Sequence, residues 1–462
     1  MELRLKYGEK ILSAEFPEFF VRKNNGKPER QFIELHAKHI ATLQTPAAIL
    51  NQALDRTLGC YPFNRVFRPA YGTRNVLIVV PDPAEATGAE FYLPLLKARL
   101  NDLHVPDKDI RLLVATRADT LFRQKKVSAF FSELVGEKVR VFRHDPHDHK
   151  TLEYAGLTRR GTPVFVNRLL LEAENVLVCG SVVSHPFAGY GGGPRLIVPG
   201  CAGAETIHRH FNHALDPETQ QVHARCRDAT IDGNPLQEDS REAFRFITAN
   251  FLLHTILNDQ RQIVGAIAGE PLQAFAAGCK AIDSMCGATL ATAANLVIVS
   301  CGGHPNDGDF RAAYAALQRA TQIVRPDGVI IFAAECRDGA GDFLAQQIAV
   351  VSSLTRKLPE LQEIVNARAG WSQLQSRGLE QNPCEALMAP AILQQTREQR
   401  IIFVTDLPRA FIEQAGFIPA TSLSAALALA EKMLSPPKPR LTGDIFSAIL
   451  IFNGTFTVPH VI

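Results

Sequence analysis

Residues 179–213 read CGSVVSHPFAGYGGGPRLIVPGCAGAETIHRHFNH. An apolar run from Asn175 to Cys179 leads into this stretch and predicts a buried strand. The stretch then contains His185 and six glycines from Gly189 to Gly203. Glycines directly after a strand let backbone N–H groups converge on an anion without side chains in the way. The pattern favours an anion-binding loop, and a tight connection between two elements is the alternative.

The composition is that of an ordinary globular protein, since 46% of the 462 residues are hydrophobic and 21% are charged. This length predicts two or three domains. A formal net charge of +2, with basic and acidic residues interleaved, argues against nucleic acid as a partner. No apolar run is long enough to predict a membrane span, and the first residues do not resemble a signal peptide. Nine dispersed cysteines without a CxxC pair predict reduced thiols and a cytoplasmic location.

Apolar runs alternate with helical patterns at the spacing of β-α-β units, which predicts parallel sheets flanked by helices. The predicted strands are residues 75–80, 109–116, 139–142, 164–166, 175–179, 262–268, 296–300, 329–334, 400–404 and 448–453. An N-terminal hairpin is expected within residues 1–22, a polar surface loop at 214–238 and a helix at 242–254. We therefore predict a two-domain α/β protein with domains at residues 1–280 and 281–462.

Three of the predicted strands end in segments suited to a ligand, at residues 81–86, 116–120 and 181–193. Ligands of open α/β sheets collect at the carboxyl ends of the strands. The site is therefore expected in the cleft between the two domains. The histidine-rich segment 144–149, in contrast, is predicted to be a solvated polar loop.

The segment HPFAGYGGGPRLIVPGCAGAETI at residues 185–207 closely resembles the signature of the nickel-dependent lactate racemase family. Other segments of the chain are similar to further elements of that family, in the same order. They are Val80–Asp82, Leu113–Thr116, Asn167, residues 302–307 (GGHPND), residues 337–339 (RDG) and residues 403–407 (FVTDL).

The resemblance implies an isomerase whose interdomain cleft holds a nickel pincer nucleotide, carried on a lysine and ligated by a histidine. Members of the family move a hydride from the α-carbon of a 2-hydroxy acid to the cofactor and return it on the other face. Two histidines act as acid and base on the substrate hydroxyl. His185 matches one of them, and Asp119 stands at the position of the other. Asp119 is expected either to accept a proton or to cap the helix that follows it.

The chain departs from the family at the positions that hold the cofactor. Arg195 replaces the lysine, and because a guanidinium does not normally act as a nucleophile, a covalent tether is not expected. Arg195 can instead clamp a phosphate or a carboxylate. Phe211 stands at the nickel-ligand position, and the neighbouring His210 is the candidate metal ligand after a small change of register. Glu85 replaces an arginine that binds the substrate carboxylate in the family.

The favoured hypothesis is a racemase or epimerase of a 2-hydroxy acid that holds a nickel pincer nucleotide noncovalently. The alternative is a divergent paralogue without nickel chemistry, catalytic or regulatory, that binds another phosphorylated or carboxylate ligand. A small anionic substrate is expected in either case, with Glu85, His304 and Arg311 as its contacts. The predicted cofactor-binding residues are Asp82, Thr116, Gly191, Gly192, Gly193 and Arg195.

Overall fold

A computed structural model describes most of the chain. The described residues are 2–17, 20, 23–24, 27–28, 30–38, 40, 43–68, 75–116, 124–216, 221–356, 383–434 and 446–461. Two six-stranded sheets, each flanked by helices, organise these residues. This arrangement confirms the predicted α/β class with two mostly parallel sheets.

The first sheet is parallel apart from one edge strand, which pairs antiparallel with its neighbour. Its strands lie in the order Ile263–Gly269, Ala249–Leu257, Asn175–Ser181, Val76–Val80, Ile110–Val114 and Arg140–Arg143. We call this sheet and the helices that flank it the first unit. Its helices are Pro46–Asp55, Phe63–Val66, Ala89–Asp102, Gln124–Val135, Leu169–Glu172, Ala204–Asn212, Pro235–Phe244 and Pro271–Cys286.

The second sheet is parallel throughout. Its strands lie in the order Ile418–Ala420, Arg400–Val404, Val324–Ala333, Ala294–Ser300, Phe446–Ile451 and Arg30–Leu35. The helices that flank it are Phe310–Thr321, Asp342–Arg356, Pro383–Glu398, Arg409–Gln414 and Leu423–Leu434, and we call this sheet and its helices the second unit. The central strands of both sheets are buried on both faces, which explains why they are continuous apolar runs in the sequence.

Short paired strands surround the two sheets. They are the hairpin Glu2–Tyr7 with Lys10–Glu15, and the pairs Lys23–Asn24 with Lys27–Pro28, Leu152–Leu157 with Pro163–Asn167, Val183–His185 with Gly189–Gly191, and Gly287–Leu290 with Val458–Val461. The first of these is the predicted N-terminal hairpin. Leu3 and Leu5 of this hairpin pack in the core of the second sheet. The strand Arg30–Leu35 forms an edge of that same sheet, and the domain boundary near residue 280 stays a prediction.

The predicted helix at 242–254 is wrong, because the helix there ends at Phe244 and the strand Ala249–Leu257 follows. That strand lies between two neighbours and is buried on both faces, so its apolar residues do not alternate with polar ones. The loop predicted at 214–238 is also more buried than expected. Asp228 and Asn234 are buried within it, and the helix Pro235–Phe244 begins before its predicted end.

Candidate active site

The glycine-rich stretch forms a small hairpin and a tight turn at the carboxyl end of the strand Asn175–Ser181. In the hairpin, His185 lies opposite Gly189. Gly189 has φ +76°, and a Cβ there would lie 2.0 Å from the carbonyl oxygen of Thr230. Gly192 has φ +84°, and a Cβ there would lie 2.3 Å from the carbonyl oxygen of Ser181. Only glycine fits at these two positions.

This turn places the side chain of Arg195 next to His185 of the hairpin. Arg195 is 9% exposed, and its Nη2 lies 3.4 Å from Nε2 of His185. Nη1 of Arg195 is buried and has no hydrogen-bond partner in the described part of the chain. Burial lowers the pKa of Arg195, whereas the nearby Cys384 and Glu85 raise it. An unpaired buried guanidinium nitrogen points to an anionic ligand, because leaving such a group without a partner is costly.

Two backbone amides fix the orientation of the His185 ring. The N–H groups of Phe187 and Ala188 donate to Nδ1, at 3.2 and 3.1 Å. Since Nδ1 accepts, the neutral ring carries its proton on Nε2, on the side of Arg195. Two donors therefore face each other over 3.4 Å, and an anion that accepts from both would stabilise the arrangement.

Arg195 and His185 lie on a cavity of about 440 Å³ between the two units. The first unit also contributes Glu85, Thr116, Ser181, Gly191, Gly192 and Phe211. The second unit contributes Arg311, Ala312, Tyr314, Ala315, Pro383, Cys384 and Met388. The rings of Phe187 and Tyr314 stack across the boundary, with centroids 5.7 Å apart. The cavity is thus a cleft between the units, at the carboxyl ends of the strands of the first sheet.

The cleft contains seven of the predicted site residues. They are Glu85, Thr116, His185, Gly191, Gly192, Arg195 and Arg311. The hydroxyl of Thr116 donates to the carbonyl of His144, so its role here is partly structural. Asp119, the predicted partner of His185, lies outside the described residues.

Four other predicted residues do not line this cleft. Asp82 caps the short helix Pro83–Glu85 by accepting from the amide of Ala84 at 3.0 Å. Gly193 is buried next to the cavity, and its amide donates to Nε2 of His254 at 3.2 Å. His304 is exposed beside Arg337, with 3.3 Å between the two side chains.

The fourth, His210, is fully buried in a polar network. Its Nδ1 lies 2.8 Å from Asp239, which also accepts from the hydroxyls of Thr158 and Thr162. Burial lowers the pKa of His210, although Asp239 acts in the opposite direction. Nε2 of His210 has no hydrogen-bond partner among the described residues. Phe211, and not His210, faces the cleft.

Sequence reasoning missed several residues of the site. Tyr314 and Cys384 belong to helices whose apolar patterns predict only packing, so nothing in the local sequence marks them as cleft residues. His144 is buried, and its Nε2 donates to the carbonyl of Ala202, in the glycine-rich stretch, at 2.8 Å. The prediction of a solvated segment is therefore wrong at this residue. A signal was present, since His144 follows directly on a strand end.

Two family models match the chain. They describe the lactate racemase N-terminal domain, at residues 23–222, and the lactate racemase C-terminal domain, at residues 289–442. A lactate racemase of Thermoanaerobacterium thermosaccharolyticum is 26% identical over 394 residues, which are 84% of this chain and 86% of that protein. A lactate racemase of Lactiplantibacillus plantarum is 25% identical over 292 residues, 63% of this chain and 66% of that protein.

Solved structures show the same fold. The lactate racemase apoprotein of T. thermosaccharolyticum superposes with a TM-score of 0.79 at 22% identity and covers 100% of both chains. A crystal structure of a Thermotoga maritima protein matches with a TM-score of 0.56 at 14% identity, over 85% of this chain and 95% of that one. The chain is thus a two-domain α/β protein with parallel sheets flanked by helices. It belongs to the lactate racemase family, a family of isomerases.

The described residues fit one part of a nickel pincer nucleotide and not another. The glycine loop and the unpaired Nη1 of Arg195 suit a phosphate or a carboxylate. The two attachments that the resemblance implies are absent, because Arg195 stands at the lysine position and Phe211 at the histidine position. Among the described residues, no group of three His, Cys, Asp or Glu side chains is placed to hold a metal ion. The described residues therefore do not fit a tethered, histidine-ligated nickel.

No helix in the described ranges is both long and apolar enough to cross a membrane.

Proposed function

We propose that this chain is a racemase or epimerase of a 2-hydroxy acid, and that the reaction takes place in the cleft that Arg195 and His185 line. The observation that carries the proposal is the buried, unpaired Nη1 of Arg195, whose Nη2 lies 3.4 Å from Nε2 of His185. Arg195 donates to the substrate carboxylate and holds it next to the glycine loop, and the adjacent His185 then faces the α-hydroxyl.

The proposed roles follow from the groups that line the cleft. Arg195 binds and orients the carboxylate. His185 faces the α-hydroxyl through Nε2 and is the group placed to hold or move the proton of that hydroxyl. Asp119 stays the proposed partner base. Glu85 supports a substrate that carries a further hydroxyl or an amine, because a carboxylate there disfavours a second substrate anion.

If a nucleotide cofactor is bound, the described residues provide a binding place for its phosphate only. The amides of the glycine loop would hold that phosphate noncovalently, which leaves Arg195 for the substrate carboxylate. Because the described residues supply neither the lysine nor the histidine, we assign no step of the reaction to nickel.

The direct test is a panel of single-enantiomer 2-hydroxy acids, including polyhydroxy acids, followed by chiral chromatography. The protein is produced with and without enzymes that synthesise a nickel pincer nucleotide. We expect one or more acids to lose their enantiomeric excess, and His185→Ala to abolish this change. A panel that keeps its stereochemistry under both conditions overturns the proposal.

A second test measures binding alone, by isothermal titration with a substrate from the panel or a non-reacting analogue. Arg195→Gln removes a charge-assisted contact, so we expect affinity to fall about 10- to 100-fold. Arg409→Gln, which removes the same charge at an exposed position outside the cleft, is the matched control. Equal weakening in both variants would contradict the assignment of the carboxylate to Arg195.

A further inference from the structure

A second pocket, of about 370 Å³, lies at the carboxyl ends of the second sheet. It is bounded by the N-terminal hairpin, by the segments after three neighbouring strands and by Asp259 from the first unit. The segments contribute Gly302 after Ala294–Ser300, Asn453 after Phe446–Ile451, and His36 after Arg30–Leu35. The pocket shares no lining residue with the cleft around Arg195.

The topology of the second sheet also favours a ligand site at this pocket. From Ala294–Ser300 the chain proceeds to one edge of the sheet, and it returns on the other side as Phe446–Ile451. The order of strands therefore reverses between these two neighbours, and Gly302 and Asn453 follow their ends. Open α/β sheets bind ligands outside the carboxyl ends of the strands at such a reversal.

The charge of the pocket is positive and largely unbalanced. Arg4, Lys6 and Lys38 line it, and none of them forms an ion pair with a described residue. The acidic residue in the lining is Asp259, while His36 is 3.4 Å from Glu34. Arg4 and Lys6, from one strand, and Lys38, from another segment, repel each other, and an anion bound between them would remove this repulsion.

The remaining wall of the pocket is apolar and aromatic. The rings of His36 and Phe452 stack with centroids 4.9 Å apart and an interplanar angle of 14°. Phe456 also lines the pocket, and Ile11 is 57% exposed there. A ligand that matches the whole pocket therefore has an anionic end and a flat apolar body.

We propose that this pocket binds a phosphorylated metabolite with a planar ring, of the size of a mononucleotide. The phosphate lies among Arg4, Lys6 and Lys38, and the ring lies against the aromatic wall. This site is separate from the cleft and does not depend on the reaction proposed for it.

The test uses adenosine monophosphate as the probe and isothermal titration of the full chain at low salt. We expect saturable binding, at least about tenfold weaker for adenosine and for inorganic phosphate. Lys6→Gln with Lys38→Gln should weaken binding about tenfold or more, and so should about 0.5 M NaCl. The double variant Lys280→Gln with Lys432→Gln removes two exposed lysines elsewhere and is the matched control.

Three outcomes would overturn the proposal. One is the absence of saturable binding to the wild-type chain at millimolar nucleotide. Another is equal binding by the Lys6/Lys38 and Lys280/Lys432 variants. The third is loss of binding in Arg195→Gln, which would place the nucleotide in the cleft. Arg4→Gln alone repeats the test if the Lys6/Lys38 variant does not fold, as judged by circular dichroism.

Discussion

A buried ion pair joins the two units directly behind the cleft, and its removal has a calculable cost. Arg319, from the helix Phe310–Thr321, donates from Nε to Asp228 of the first unit at 2.5 Å. Its Nη1 donates to the carbonyl of Gly454 at 2.7 Å, and its Nη2 donates to Ser184, next to His185. The side chains of Arg319 and Asp228 are 1% and 0% exposed.

We expect Arg319→Met to lower the free energy of unfolding by roughly 4–8 kcal/mol. An uncompensated buried carboxylate at Asp228 accounts for about 3–5 kcal/mol of this loss. The orphaned carbonyl of Gly454 adds about 1–3 kcal/mol. Adding Asp228→Asn removes the buried charge, so the double variant should recover about 2–3 kcal/mol of the loss.

The assay is urea unfolding followed by circular dichroism at neutral pH, with separate fits if the units unfold in two transitions. Arg409→Met is the matched control, because Arg409 forms an exposed pair with Glu413 and its loss should cost less than about 1 kcal/mol. A loss below about 1.5 kcal/mol in Arg319→Met, or no recovery in the double variant, would refute the reasoning.

Three further predictions concern the glycine turn, the buried histidine and the cleft thiol. Gly192→Ala should lower the free energy of unfolding by more than about 2 kcal/mol in the same urea assay, because its Cβ would lie 2.3 Å from the carbonyl oxygen of Ser181. Gly161→Ala is the control, since Gly161 also has a positive φ, +82°, but has nothing within 4 Å, and it should cost about 1 kcal/mol. Equal losses in the two variants would contradict this. Burial lowers the pKa of His144 to about 4, so only the unfolded chain binds this proton between pH 6.5 and 4. The contribution of the neutral His144 to the free energy of unfolding is therefore fully present above pH 6.5, and about 3 kcal/mol of it is lost as the pH falls to 4. His144→Gln should lose this part of the pH dependence. A pH dependence that is the same in the variant and in the wild-type chain would contradict the prediction. Cys60 and Cys384 are the two partly exposed cysteines, so a maleimide should label both, as measured by mass spectrometry. A bound 2-hydroxy acid should slow the labelling of Cys384 alone, because only Cys384 lines the cleft. A labelling rate at Cys384 that the ligand does not change would place the ligand elsewhere.

The sequence predicted the fold well where the strands were central and apolar. The runs at 75–80 and 296–300 allow few conformations other than buried strands, and both are confirmed. The strand Ala249–Leu257 was mistaken for a helix because a run buried on both faces carries no period. The membership of Arg30–Leu35 in the second sheet was also out of reach, since pairing with Phe446–Ile451 depends on contacts very far apart in the chain.

The candidate site was predictable only on one side of the cleft. Glycines, His185 and Arg195 lie within one short segment, so their spacing in the sequence indicates their arrangement in space. Tyr314 and Cys384 approach from the second unit through tertiary packing. The partnership of Arg319 with Asp228 is likewise a product of the packed interface, and a basic residue in a helical pattern is typical of a solvated face.

The position of Arg30–Leu35 at the edge of the second sheet has a consequence for biosynthesis. About 410 residues separate this strand from its partner Phe446–Ile451. At typical translation rates the early strand therefore emerges from the ribosome roughly 20–80 s before its partner exists. During that interval the early strand lacks the partner with which it pairs in the folded protein. A transcript cut short before codon 446 would yield a polypeptide with an open sheet edge, prone to self-association.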